Sequence, residues 1–390
     1  MRQYRVGIDV HSIGSRKGGN ETYYRELVKE LVKVPCDHRF FLYYTNPAAG
    51  QQHEGNSRFT QQVLSPAHPL LRIPFAIPQR ARIDRLDLFH AQFIVPPLLK
   101  CKTVTTIPDI AYEHYPQFFP ALQRAWLKLL VRESAHRADH IITVSEYSKR
   151  DLVRTYGICE EKITVTYEGA GDEFVPLDRD KAKEKLASQY GIDGNFVLYV
   201  GRLQARKNLL RLVRAYARVR RAGLPQKLVL AGAPDTMFQP VLTCIRELQL
   251  QEDVVLPGYV ATADLPSFYN AAQVFVYPSL FEGFGLPLME AMACGTPVIT
   301  SQGSSLGEVA GEAAVLVDPL DEASIAEAMT KVLSNPELRR RLSEAGLRRS
   351  RQFSFAKAAQ QTLAVYERVM SAESPAGSAG DLRLESRACL

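Results

Sequence analysis

The stretch Ser279–Thr300, SLFEGFGLPLMEAMACGTPVIT, carries two glutamates, Glu282 and Glu290, with Gly283, Gly285 and Pro287 between them. Two carboxylates can share an acid/base task, bind a metal or hold the hydroxyls of a polar ligand. The glycines interrupt any helix and the proline suits a first helical turn. Glu282 is therefore assigned to a loop and Glu290 to the first turn of the helix that follows. A glutamate in a first turn is explained by the helix dipole alone. A loop glutamate beside glycine has no comparable local role, and the different mounting argues for two separate contacts to one ligand.

Two further segments have the chemistry of an anion site. GRLQARKNLLRLVRAY gathers Arg202, Arg206 and Lys207 around a loop, with Asn208 at a helix-cap position. Arg grips a diphosphate through parallel bonds and Lys adds a point charge, each bond worth roughly 1.5 to 3 kcal/mol. A solvated basic turn is the alternative. HSIGSRKGGNETYYREL places Gly18 and Gly19 where backbone can approach a ligand closely, with Asn20 as the expected cap of the next helix. A structural turn would look the same, and the spacing is not the Gly-x-Gly-x-x-Gly of dinucleotide sites, which disfavours a nicotinamide or flavin enzyme. Asp178 and Asp180 in DRDKAKEKL mimic a metal-binding pair, but at a helix start they are expected to cap, so no metal is assigned to them.

The elements that must position these residues alternate in type. Apolar runs YRVGIDV, LDLFHAQ, TVTTIPD and HIITVS read as strands separated by helical segments such as 21–33 and 121–137. The alternation resumes at NFVLYVG and continues through KLVLAG, DVVLPG, AAQVFVYPS, TPVITS and AAVLVDP. Strands alternating with helices imply parallel, doubly wound sheets. The expected class is α/β, with two Rossmann-like domains joined by the Gly- and Pro-rich YEGAGDEFVPLDRD. Ligands of such sheets sit beyond the carboxyl ends of the strands, where all three segments fall.

The chain has 390 residues, 46% hydrophobic and 23% charged, which suits two globular domains in water. No run of eighteen apolar residues occurs, and the amino terminus runs straight into a strand pattern, so a cytoplasmic location is expected. Six scattered cysteines read as reduced thiols. The net charge of +6 is spread rather than gathered into an arm, which excludes a nucleic-acid partner. A solvated basic surface, or attraction to anionic lipid or a phosphorylated substrate, accounts for it equally.

Taken together, ITVSEYSKRDL, VGRLQARKN, LPGYV, FEGFGLPLMEAMACGTPVI and SSLGEVAGEAAVLVDP resemble blocks of the family 4 retaining glycosyltransferases, in that order along the chain and as far as about Met370. The resemblance implies the GT-B architecture: residues 1–170 as an acceptor-binding domain, 171–353 as a nucleotide-sugar domain facing it across a cleft, and 354–371 as a helix crossing back. A disordered tail is expected at 372–390. The resemblance assigns Arg202 and Lys207 to the donor diphosphate, Glu282 to the donor sugar beside the amides of Phe284, Gly285 and Leu286, and Glu290 to the ribose hydroxyls. Tyr259 and Val260 would border the base, and Gly18 and Gly19 would line the cleft. Glu308 belongs to a block that structural packing also explains. Many members carry a histidine just before an aspartate where this chain has Pro108 and Asp109. Asp109 is left to orient a substrate hydroxyl or to cap its loop, and His90 to organise the acceptor or to be a buried structural residue.

What the resemblance implies is a metal-independent hexosyltransferase without cofactor, using a nucleotide-diphosphate sugar and a glycan or lipid-linked glycan acceptor. Mannosyltransferases of bacterial surface polysaccharides look most similar, so GDP-mannose is the expected donor and a UDP sugar the alternative. A sugar phosphorylase, a nucleotide-sugar epimerase or a noncatalytic sugar-nucleotide-binding protein shares the same architecture. The helical segment 121–137, aromatic and basic, packs on the core or makes peripheral contact with a membrane.

Overall fold

The structure is a computed structural model that describes residues 3–15, 18–49 and 56–372, so the expected tail lies, apart from Ala372, outside the described residues. Seven strands form the first sheet: β1 (Arg5–Asp9), β2 (Arg39–Tyr44), β3 (Phe59–Val63), β4 (Leu88–Gln92), β5 (Lys102–Thr106), β6 (His140–Thr143) and β7 (Ile163–Val165). Their spatial order is β3-β2-β1-β4-β5-β6-β7. The second sheet contains β8 (Phe196–Val200), β9 (Lys227–Ala231), β10 (Val254–Gly258), β11 (Val274–Tyr277), β12 (Val298–Ser301) and β13 (Val315–Val317), in the order β10-β9-β8-β11-β12-β13. Neighbouring strands pair in parallel throughout both sheets.

Helices cover both faces, so central strands are buried on both sides and read as unbroken apolar runs rather than alternating ones. In β8, FVLYV, every residue is buried. The direction of winding reverses between β1 and β4 in the first sheet and between β8 and β11 in the second. Each reversal opens a crevice at the carboxyl ends of its central strands.

Three strands go beyond the sequence reading. β2, RFFLYY, owes its hydrophobicity to aromatic rings rather than to Val, Ile and Leu. β3, FTQQV, is a half-polar edge strand, and β7, ITV, is only three residues long. Two local expectations are corrected. The helix Gly19–Lys33 is preceded by Gly18 at φ 95°, so Asn20 lies within the helix and does not cap it. The helix Leu286–Ala293 has Pro287 at its second position and Glu290 at its fifth, with no acid in the first turn, so the dipole account of Glu290 fails. Asp178 does cap, accepting from the amides of Asp180 and Lys181 at 3.0 and 3.1 Å.

The helix Phe355–Ser371 packs against Gly19–Lys33 of the first sheet's layer. Arg368 Nη2 donates to Thr164 Oγ1 at 2.8 Å, and the Phe355 ring lies 6.4 Å from that of Tyr23. The chain thus ends its described course on the domain where it began.

Candidate active site

At the end of β8, Gly201 and Gly232 bring two backbone segments into contact. A Cβ on Gly232 would lie 1.9 Å from the Gly201 carbonyl, so only glycine fits there. The next residue, Arg202, is exposed, and its side chain forms no ion pair or hydrogen bond among the described residues. A 3-10 turn, Ala205–Lys207, then ends at Asn208 in the left-handed conformation, φ 64°. Asn208 occupies the expected cap position, but its amide is used elsewhere: Nδ2 donates to the carbonyls of Pro278 and Pro319 at 3.0 and 2.6 Å. Those bonds tie the cationic turn to the segment after β13 and to the loop after β11.

The loop after β11 carries Glu282. Lys207 Nζ donates to Glu282 Oε1 at 2.5 Å and to the Tyr277 hydroxyl at 2.8 Å. Arg206 Nη1 lies 3.4 Å from Glu282 Oε2 and also donates to the Phe281 carbonyl. The hydroxyls of Tyr277 and Ser279 donate to Glu282 Oε1. Burial alone would raise the Glu282 carboxyl, but Lys207 and then Arg206 outweigh it and hold the group at about 2. Burial also draws the Lys207 ammonium below its ordinary value, against the pull of Glu282. At 2.5 Å, with two hydroxyls donating to the same carboxylate, the pair is ionised.

Glu290, one helix away, is in the opposite condition. It is buried, its carboxyl's one partner among the described residues is the Tyr269 hydroxyl at 2.7 Å, and burial pushes that carboxyl up to about 7. The amides of Phe284, Gly285 and Leu286 lie between the two glutamates, at a turn where Gly285 takes φ 100° and a Cβ would strike Leu306 at 2.6 Å. Tyr259 and Val260 follow β10, the first 57% exposed and the second buried. β10 is joined to the β8 and β9 ends by the Gly232 amide, which donates to the Gly258 carbonyl at 2.8 Å.

The first domain closes on this loop. A Cβ on Gly283 would lie 2.5 Å from the Pro108 carbonyl and 3.2 Å from Asp109 Cβ. Ser145 Oγ donates to the Gly283 carbonyl at 2.7 Å, and Tyr115 Oη to that of Leu280 at 3.2 Å. The Phe281 ring packs among His114, Tyr115 and Tyr147. Glu308 is more than packing, since it accepts the amides of Glu146 and Tyr147 at 2.9 and 2.7 Å across the domains. Gly19 faces this loop, a Cβ there lying 3.9 Å from Leu286 Cδ1, whereas a Cβ on Gly18 would meet nothing within 4 Å.

The structure therefore brings Lys207, Glu282, Glu290, Gly285, Asp109 and Gly19 around one crevice, with Arg202 exposed after β8 and Gly18 just before Gly19, and leaves His90 out of it. His90 is fully buried, with Nδ1 2.6 Å from the Tyr366 hydroxyl and Nε2 2.6 Å from Thr106 Oγ1. Burial lowers it to about 3, so the ring is neutral and both nitrogens are occupied. The acceptor role is corrected to a structural one, bracing the last helix against the first sheet. Asp109 Oδ1 accepts the Ala111 amide at 3.0 Å, a local bond that fixes the turn of its own loop. Sequence reasoning missed Tyr269, on the helix Leu265–Ala271 before β11, and Tyr277 and Ser279, at and just beyond the end of β11, and named Arg206 without a partner. It also missed Asp9, clamped by Arg72 at 2.9 Å and bonded to His11 at 2.9 Å beyond β1. Among the described residues no three His, Cys, Asp or Glu converge as metal ligands, and no helix is long and apolar enough to cross a membrane.

Residues 180–349 match the family model described as glycosyl transferases group 1, and residues 17–173 match glycosyltransferase family 4. The O-antigen chain mannosyltransferase B of Escherichia coli is 31% identical over 286 residues, 72% of this chain and 74% of that protein. Among solved structures, a sucrose-phosphate synthase of Thermosynechococcus elongatus superposes with a TM-score of 0.79 at 24% identity, covering 95% of this chain and 100% of that one. Anabaena HepE in complex with UDP-glucose gives 0.75 at 19%, covering 94% and 100%. Two parallel sheets facing across a crevice are the GT-B architecture, and with both halves matched in sequence order the chain belongs to the family 4 glycosyltransferases.

Proposed function

We propose that this glycosyltransferase moves mannose from GDP-mannose, with retention of anomeric configuration and without a metal, to a hydroxyl of a glycan or lipid-linked glycan in bacterial surface polysaccharide synthesis. The observation that carries the reading is the cation set at the end of β8: Lys207, balanced by Glu282, beside Arg202, which has no protein partner among the described residues. Glycosyl transfer builds negative charge on the departing diphosphate. Lys207, held in place by Glu282 and Tyr277, and Arg202, free to turn onto the ligand, would supply that stabilisation, the role a metal has elsewhere. Glu282 then faces the sugar and Glu290 the ribose hydroxyls, with Asp109 across the crevice and Tyr259 and Val260 toward the base. Mannose is favoured by the mannosyltransferase relative at 31% identity; the UDP-glucose complex, at 19%, supports the architecture only.

The acceptor's class bears on the outer face of helix Ala121–Arg137. Leu122 and Leu129, seven residues apart on one stripe, are 86% and 69% exposed, with Arg132 three residues further on. An apolar and basic stripe suits peripheral contact with an anionic membrane that carries a lipid-linked acceptor. Flotation with anionic vesicles checks this: the wild type should float and a Leu122→Asp, Leu129→Asp variant should not.

A thermal-shift screen of nucleotide sugars tests the donor. A ligand at one hundred times its dissociation constant adds about 2.7 kcal/mol. GDP-mannose should give the largest shift, and a larger one from a UDP sugar reverses the donor assignment. Release of nucleoside diphosphate that depends on an acceptor separates transfer from an epimerase, a phosphorylase or a noncatalytic binding protein. The anomeric configuration of the product, read by NMR, decides retention, and full activity in chelator decides the metal.

A further inference from the structure

The connection between the two sheets holds a carboxyl that neither sequence blocks nor donor roles account for. Glu168 is 6% exposed, and no hydrogen bond or ion pair reaches it among the described residues. Its neighbours in the chain are tied to both domains. The Thr166 amide donates to the Thr143 carbonyl of β6 at 2.8 Å, and the Tyr167 hydroxyl donates to Glu308 at 2.9 Å. Gly169 abuts Ser354 so closely that a Cβ would lie 2.7 Å from its Cα. The side chain lies within electrostatic reach of Asp109 from the loop after β5, Glu282 from the loop after β11, Glu290 from helix Leu286–Ala293 and Tyr23 from helix Gly19–Lys33, groups of both domains.

The four carboxyls are not equivalent. Glu282 has two cations, Glu290 has the Tyr269 hydroxyl and Asp109 has an amide. Glu168 alone among them faces three acidic neighbours with no donor, and the group does not converge as metal ligands. A buried polar side chain without a protein partner is costly to maintain, and this one sits among the carboxyls that the crevice draws from both domains. An ionised Glu168 would add a further negative charge to a site that must admit a diphosphate. A neutral one offers an O–H donor to an oxygen of that ligand. We propose that Glu168 is a donor-binding residue that meets an oxygen of the bound nucleotide sugar as an uncharged carboxylic acid. Burial first, and then Asp109, Glu282 and Glu290, push the free carboxyl up to about 8, so it is mainly protonated at neutral pH.

The inference rests on the nucleotide-sugar reading above and has its own signature. Binding an anion beside Glu168 strengthens its hold on the proton, so near pH 8 donor binding takes up about half a proton. A nucleotide sugar has no phosphate proton titrating in this range, so the uptake belongs to the protein. We would titrate the full chain with GDP-mannose and with UDP-glucose at pH 6 and pH 8, in two buffers of different ionisation enthalpy. The expected result is uptake at pH 8, none attributable to Glu168 at pH 6, and its loss in E168Q, which keeps shape and hydrogen-bonding capacity. The donor KM of the wild type should rise about fivefold between pH 8 and 9, while that of E168Q stays flat. Wild-type binding at pH 8 without proton uptake overturns the proposal whether or not E168Q folds, as does an E168Q variant with the wild-type proton count. If neither nucleotide sugar binds the wild type, the donor reading itself falls and takes this one with it.

Discussion

Replacing Glu282 with glutamine separates the two demands placed on the loop after β11. Glutamine keeps the shape but removes the charge, leaving the largely covered Lys207 and Arg206 without their counter-ion. The carboxyl is held at about 2 against an ordinary 4.5, which corresponds to about 3 kcal/mol. That agrees with the 3 to 5 kcal/mol cost of removing one partner of a buried pair. The sign follows from the depressed value: the contribution is complete above pH 4.5 and is lost as pH falls from 4.5 toward 2. E282Q should therefore melt roughly 6 to 12 °C below the wild type at pH 7. The gap should narrow as the pH is lowered below 4.5. A nucleoside diphosphate restores charge balance to the two cations, so saturating GDP should raise the melting temperature of E282Q more than that of the wild type, although transfer is impaired. Calorimetry across pH 3 to 8, with and without GDP, reads all three effects. A melting temperature within 2 °C of the wild type at pH 7 refutes the reasoning, because the pair would then contribute nothing to the fold.

The other variants separate binding from packing. Arg202→Ala should lower kcat by roughly 10² to 10³ with little change in melting temperature, since the side chain is exposed and unpaired; wild-type turnover sinks its assignment to the diphosphate. Glu290→Gln removes a carboxyl raised to about 7, whose ionisation costs stability as pH rises from 4.5 through 7. It should therefore stabilise the ligand-free protein by about 3 kcal/mol at pH 8 while raising the donor KM. Unchanged stability at pH 8 contradicts the burial argument. His90→Ala should cost several kcal/mol through the unpaired hydroxyls of Tyr366 and Thr106, yet leave the acceptor KM unchanged in the folded fraction. A selective rise in acceptor KM would return His90 to the crevice.

Much of this arrangement was legible in the sequence because it depends on local signals. The six strands of the second sheet are apolar runs bounded by turn residues, and Gly283, Gly285 and Pro287 announce the loop that carries Glu282. What was hidden depends on contacts between distant residues. β2 pairs with β1 through an aromatic run. Nothing near His90 in sequence indicates that Tyr366, 276 residues away, closes over its ring. Arg206 and Lys207 look alike as neighbours, and only the fold shows both turned onto one carboxylate 75 residues later. Glu168 was concealed most thoroughly, because a glutamate in a Gly- and Pro-rich connector reads as a solvated link.

The place of Pro108 shows how the two domains share the site. Proline cannot supply the side-chain bond that a histidine would, but its carbonyl sits where a Cβ on Gly283 would lie 2.5 Å away. The close approach therefore requires glycine on the opposite loop, whichever side chain precedes Asp109. The same Gly283 carbonyl accepts from Ser145, and the adjoining Phe281 is enclosed by rings from His114, Tyr115 and Tyr147. Glu282 is thus flanked on both sides by residues gripped by the first domain, while its charge is balanced within the second. A shift of either domain must move the loop against Lys207 and Arg206. The position of the carboxylate over the crevice is then a property of the interface rather than of either domain alone.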